Sequence, residues 1–247
     1  MARFPSTAWS VISRATRSQS EESRAALASL CEAYWYPLYS YARACGCRHE
    51  DARDLTQSYV VLLLEKDYLQ SVRSREGRFR CFLLASFRNF LSKERDRARA
   101  IKRGGGRLLL SLDVDAAEAR HAAEPAGTCT PETAFERSWA LTILERALER
   151  LQQEAAVKKK EPEFEMLRDY LTGSEPRVPY SDLARQMRTT ETALKALVRR
   201  LRQRYGSLLR REIAETLADP TQADAELRHL LSVVRPWEPP ERPRTVS

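Results

Sequence analysis

The side chains of this chain with the strongest chemical character are cations at helical spacing, and what they could do is hold a polyanion. Between Glu191 and Glu212 seven basic residues (Lys195, Arg199, Arg200, Arg202, Arg204, Arg210, Arg211) face two acidic ones, an excess of five. Leu194, Leu197, Val198, Leu201, Tyr205 and Leu208 form one apolar helical face, which leaves Lys195, Arg199 and Arg202 on another, flanked by Arg200 and Arg204. A merely solvated face usually mixes signs, whereas a single-sign stripe is the footprint of nucleic-acid contact. Just upstream, Tyr180, Leu183, Ala184 and Met187 predict a short helix, and Arg188-Thr189-Thr190 breaks its stripe. Thr190 suits an N-cap, with Glu191 at the positive end of the next helix dipole. A short scaffold helix, a turn and a cationic helix is the layout of a helix-turn-helix, whose second helix enters the DNA major groove. The candidate contacts on that helix are Thr192, Lys195, Arg199, Arg200 and Arg202.

A second basic centre lies between Arg75 and Arg107, where eleven basic residues oppose Glu76, Glu94 and Asp96. Phe79, Phe82, Leu83, Phe87, Phe90 and Leu91 predict a helix over about 79–100 with a thick apolar face. Arginines beside aromatic and amide groups suit single-stranded nucleic acid, where phosphate neutralisation is combined with stacking.

Catalytic chemistry is poorly supplied. The three histidines, His49, His121 and His229, lie far apart in the sequence. Asp51 and Asp54 share one side of a predicted helix with Gln57, but no third ligand or nearby histidine makes them a metal or acid–base pair, so they predict an exposed acidic docking face. Cys45-Gly46-Cys47-Arg48-His49 lacks the second cluster that a four-ligand zinc site needs. The triple glycine 104–106 is followed by no Gly-Lys-Ser/Thr, against a phosphate loop. Tyr205 lies among arginines as a recombinase tyrosine would, but its place on the apolar stripe predicts core. No catalysis, cofactor or metal is expected.

The elements that must position these residues are helical. The 247 residues include only 8 glycines, and long periodic segments dominate, so the chain reads as all-α. A net charge of +8 and a pI near 9.4 point to an anionic partner. Five cysteines at irregular spacing suit reduced thiols in a cytoplasm rather than a disulfide framework, and no apolar run approaches the roughly 18–20 residues that span a bilayer. After a short helix near 7–12, a helix over 22–44 carries Leu27, Leu30, Cys31, Tyr34, Leu38 and Tyr41, with Pro37 expected to kink or split it. Tyr34, Trp35, Tyr36, Tyr39 and Tyr41 are expected in the core. A helix from near Glu50 bears Ala52, Leu55, Tyr59, Leu62 and Leu63. The stretch 104–130 is acidic and aperiodic and reads as a flexible linker. A long helix with Phe135, Trp139, Ile143, Ala147 and Leu151 then begins at Thr130-Pro131-Glu132, followed by a short helix over 164–171. Asp219-Pro220 opens a last one with Leu227, Leu230, Leu231 and Val234. The expected organisation is a helical domain over 1–103, the linker, a helix-turn-helix domain over 131–235 and a disordered proline-rich tail over 236–247.

These residues resemble a known family. Trp35-Tyr36-Pro37-Leu38-Tyr39, Asp54-Leu55-Thr56-Gln57, the run from Leu63 to Leu69, the run from Gly77 to Leu83, Lys102-Arg103 with the triple glycine, and the stretch from Tyr180 to Arg200 are similar to bacterial RNA polymerase sigma factors of the extracytoplasmic-function class. The resemblance implies a two-domain initiation factor with core RNA polymerase and promoter DNA as partners. The first domain would dock on the polymerase clamp through Asp51, Asp54 and Gln57. Its third helix, with Arg88, Asn89, Arg95, Arg97 and Arg99, would engage the melting minus-10 element, and the helix after Thr190 would read the minus-35 element. An anti-sigma factor or a Ser/Thr kinase is a candidate regulator, and no membrane partner is expected. Three positions depart from the family pattern: Arg188 stands at a turn position usually held by glycine, Lys93 where an acidic residue is common, and Ser58 where Glu is usual. Phosphate on Thr56 or Ser58 would restore negative charge to the docking face. The competing expectation is a helix-turn-helix regulator that acts without polymerase.

Overall fold

The computed structural model describes residues 21–64, 78–100, 130–171 and 178–234; the expected helix near 7–12, the linker up to residue 129 and the tail lie outside them. The described residues form helices α1 (Glu21–Ala44), α2 (His49–Leu64), α3 (Phe79–Ala100), α4 (Pro131–Val157), α5 (Glu161–Leu167), α6 (Tyr180–Gln186), α7 (Glu191–Glu215) and α8 (Ala223–Val234). Single 3-10 turns over Arg168–Tyr170 and Pro220–Gln222 follow α5 and precede α8. Among the described residues the strand-like pairing is confined to one antiparallel bridge, Arg78 with Leu217. The expected all-α class is what these residues adopt.

Helix α1 is the centre of the molecule. From Ala33 to Ala42 every side chain is buried, so this helix is covered on all sides rather than along one stripe. The five aromatic residues expected in the core are all there, with Trp35 stacked on Tyr39 and Tyr41 edge-on to Phe87. The helix runs unbroken through Pro37, contrary to expectation of a split. Pro37 is itself buried in this packing, which offsets the lost backbone bond.

Along α1 lies α4, capped by Thr130, whose hydroxyl accepts from the Thr133 amide, with Pro131 in its first turn. The predicted face of Phe135, Trp139, Ile143, Ala147 and Leu151 is buried. One apolar cluster continues from α1, α2 and α3 through α4 to Leu208 and Ile213 of α7 and Leu230 of α8. Residues on either side of the expected linker therefore share a core. Phe79 sits at their junction, fully buried and edge-on to Tyr34 at 5.3 Å, and its amide donates to the Thr216 carbonyl. A smaller cluster, Leu167, Tyr170, Leu183, Ala184, Leu194 and Val198, ties α5 and α6 to the first half of α7.

Three helices end in the same hydrogen-bond pattern, a six-to-one bond enclosing a five-to-two bond, which needs a left-handed residue at its centre. Gly46 fills that position after α1, but Lys159 (φ 56°) and Arg188 (φ 52°) fill it after α4 and α6. At Arg188 the strain expected from its replacement of glycine is realised, a cost of about 1–2 kcal/mol for an L-residue. The turn keeps its geometry because both bonds form and Leu183 is packed on Leu194 and Val198.

A shared core has a thermodynamic signature. Phe79→Ala and Trp139→Ala should each cost about 3–5 kcal/mol and shift one common denaturant transition. Two separable transitions, each answering to one substitution, would contradict the shared core.

Candidate nucleic-acid interface

The geometry of the cationic helix begins with its cap. The Thr190 hydroxyl accepts from the Ala193 amide at 3.2 Å, fixing where α7 starts and hence which residues stand at its N-terminal end. Leu194 and Val198 are buried, so Thr192, Lys195, Arg199 and Arg200 are turned outward and exposed. Lys195 lies 2.6 Å from Glu191 and 5.6 Å above the Tyr180 ring. Arg199 and Arg200 have no ion-pair partner among the described residues. Tyr180, Lys195, Val198, Arg199, Arg202 and Gln203 line an open depression of about 540 Å³ on this face.

The remaining cations of the helix are engaged within the fold. Arg202, expected to face DNA, donates from Nε to the Tyr170 carbonyl at 2.8 Å, closing the end of the 3-10 turn onto α7. Arg204 clamps Glu154 through two nitrogens, one at 2.9 Å, and this hydrogen bonding holds the Glu154 carboxyl below the usual carboxylate range. Arg210 pairs with Asp224 at 2.7 Å and Arg211 with Glu215 at 3.6 Å. The sequence excess of five on this helix thus narrows to the end near Thr190. Tyr205 donates its hydroxyl to the Leu144 carbonyl, and burial pushes its pKa up to about 12, so it is a packing residue, as its place on the apolar stripe predicts.

On α3, the helical repeat aligns Arg88, Arg95 and Arg99 along one stripe and Asn89, Lys93 and Arg97 along its neighbour. Arg88 and Asn89 are exposed; Arg88 lies 3.5 Å from Glu132 of α4, an exposed pair of little energetic weight. Arg95 donates to the Cys45 carbonyl at 3.2 Å, and Arg97 pairs with Glu94 at 2.6 Å. The side chain of Arg99 lies outside the described residues. A depression of about 370 Å³ between α2 and α3 is lined by Ser58, Val61, Leu62, Phe90, Lys93 and Arg97, an aromatic wall beside two cations.

The expected acidic docking face on α2 is only partly exposed. Asp51 is open to solvent, Asp54 is half-buried with Arg53 3.4 Å away, and Gln57 is buried at 5% exposure. The helical repeat explains the difference, because Gln57 falls beside the buried positions Thr56 and Val60. Thr56 is fully buried and donates its hydroxyl to the Ala52 carbonyl, whereas Ser58 is exposed, so in this conformation only Ser58 is open to a modifying enzyme.

Sequence reasoning missed a buried charge cluster. Arg80, counted above in the basic excess of the α3 region, is 3% exposed. Its guanidinium lies 3.0 Å from Glu136 of α4, pairs with Glu226 of α8, and rests 4.7 Å over the Trp139 ring. Arg78 reaches Glu226 at 2.9 Å, and His229 Nε2 lies 3.1 Å from Glu136. Desolvating such charges costs several kcal/mol, which close pairing repays; removing one partner typically costs about 3–5 kcal/mol. A second such carboxylate, Glu212, is buried between Arg146 and Arg150; burial raises its pKa while the two guanidiniums oppose that shift. The clues available in the sequence, Glu136 and Glu226 on otherwise apolar stripes, gain meaning only once the helices are docked.

No group of three or more His, Cys, Asp or Glu side chains among the described residues could hold a metal ion, and no described helix is long and apolar enough to cross a membrane. What the geometry offers is two cationic helical surfaces on one helical body. No curated protein and no solved structure matches the chain. The family model described as ECF sigma factor matches residues 17–175, from before α1 to past α5 and well over half the sequence. The chain belongs to the ECF sigma factor family.

Proposed function

We propose that this chain directs core RNA polymerase to specific promoters and initiates transcription there, without catalysis of its own. The observation that carries this is the family match, because it spans α1–α3 as well as α4 and α5, whereas a regulator acting without polymerase would account only for the C-terminal half. In this reading α6, its turn and α7 form a helix-turn-helix that reads the minus-35 element, with Thr192, Lys195, Arg199 and Arg200 at the exposed end. Arg88, Asn89, Arg95, Arg97 and Arg99 of α3 engage the melting minus-10 strand. Asp51 and Asp54 of α2 face the polymerase, and Gln57 supports them from the interior. Runoff transcription on a library of promoters, with core polymerase and with or without the chain, tests it: promoter-selective transcripts are expected only with the chain. A chain that binds DNA but never associates with core would favour the regulator.

The geometry separates residues that the sequence grouped. Arg199→Ala should weaken minus-35 binding by about 1–3 kcal/mol and relax base preference at one position. Arg202→Ala should instead lower the melting temperature, reflecting about 1 kcal/mol for the lost bond to the Tyr170 carbonyl. Equal losses of base preference in both variants, with stability unchanged, would restore Arg202 to the interface.

On α2, charges at the rim of an interface act mainly on association rate and its salt dependence. Ser58→Glu should therefore bind core faster, and Asp51→Ala/Asp54→Ala slower, with the rates converging at high salt. Slower binding by Ser58→Glu, or normal binding by the double variant, would remove this face from the dock.

A further inference from the structure

The buried cluster around Arg80 joins parts of the chain that the proposed function needs apart. Arg78 and Arg80 belong to the start of α3; Glu136 belongs to α4, and Glu226 and His229 to α8. Helix α8 lies beyond the residues matched by the family model. It packs on both α4 and α7, burying Leu230, and Glu226, itself 1% exposed, is its polar reach to α3. The same junction carries the Phe79 amide to Thr216 carbonyl bond and the Arg78–Leu217 bridge.

A compact chain of 247 residues has a radius of gyration of about 18 Å and a diameter of roughly 46 Å. Elements centred near minus-10 and minus-35 lie roughly 25 base pairs apart, about 85 Å of duplex. The shared-core form cannot place α3 on one and α7 on the other at once. Residues 101–129 have the reach to allow it, since they extend to about 100 Å at full stretch.

We infer that α8 is an intramolecular latch: Glu226 grips Arg78 and Arg80 and holds the α3 side against α4 and α7, and engagement of polymerase requires this grip to open. The opening frees Arg78 and Arg80 at the N-terminal end of α3, so cations spent on carboxylates in the closed form become available to promoter phosphates. A buried charge pair suits a latch, because its attraction depends on exclusion of water and falls steeply once the joint parts. An apolar contact of similar area would leave no cations for DNA. This inference rests on the promoter reading above, but the opening itself can be observed without polymerase.

Small-angle scattering on the free full-length chain, followed by core-polymerase affinity, tests the latch in Glu226→Gln. Arg78→Gln is the milder companion, since Arg78 is 40% exposed and its loss leaves the Arg80 pair in place. Retained helical circular dichroism identifies folded variants. The latch predicts a radius of gyration above the wild-type value in Glu226→Gln and a smaller rise in Arg78→Gln, with core affinity raised several-fold in the same order. Folded variants as compact as the wild type would overturn it, as would variants that open yet bind core no more tightly than wild type. If the variants open but neither they nor the wild type bind core, the latch as a closed-state device stands and the initiation reading fails. If Glu226→Gln does not fold, an Arg78→Gln chain unchanged in size and affinity overturns the latch.

Discussion

Arg80 is a full positive charge held out of water, and the arrangement of the described helices around it follows from the need to neutralise that charge. A guanidinium at 3% exposure requires carboxylates close by, and its own helix supplies none. They come from α4 and α8, with the Trp139 ring supplying a further face. The apolar cluster that runs from α1 to α8 closes over this point, so the charge pairing fixes the register in which the two halves meet. Burial of Phe79 and Tyr34 beside it contributes the larger, non-directional share of the stabilisation.

Much of the local structure was legible in the sequence because it depends on near neighbours. The bounds of α3 and the start of α4 follow from apolar periodicity and from Thr130-Pro131, and the left-handed turn residue Arg188 follows from its place between two helical patterns. The all-round burial of α1 was legible in its aromatic run but not in its consequence, since Pro37 was expected to interrupt a helix that tertiary packing keeps whole. Leu231, expected on the apolar face of α8, is 45% exposed, because the last turn of that helix extends past the surfaces of α4 and α7.

The functional surfaces were legible as excesses of charge, not as sets of residues. Counting arginines cannot distinguish Arg199, which is exposed, from Arg202, which holds a backbone carbonyl, or from Arg80, which is enclosed by carboxylates more than fifty residues away. Likewise Asp51, Asp54 and Gln57 lie three residues apart, yet a helix turns 100° per residue and the third of them has rotated into the core. In each case the missing information is long-range contact, which spacing along one helix does not contain.

The central claim is that the two halves share one core in the free chain and separate when the chain acts as an initiation factor. Hydrogen exchange on the unmodified protein, free and bound to core polymerase, tests it most directly at the Phe79 amide, whose bond to the Thr216 carbonyl crosses the joint. Strong protection in the free chain that is lost on binding core is the expected result. Protection at Phe79 that persists in a transcriptionally active complex would contradict it.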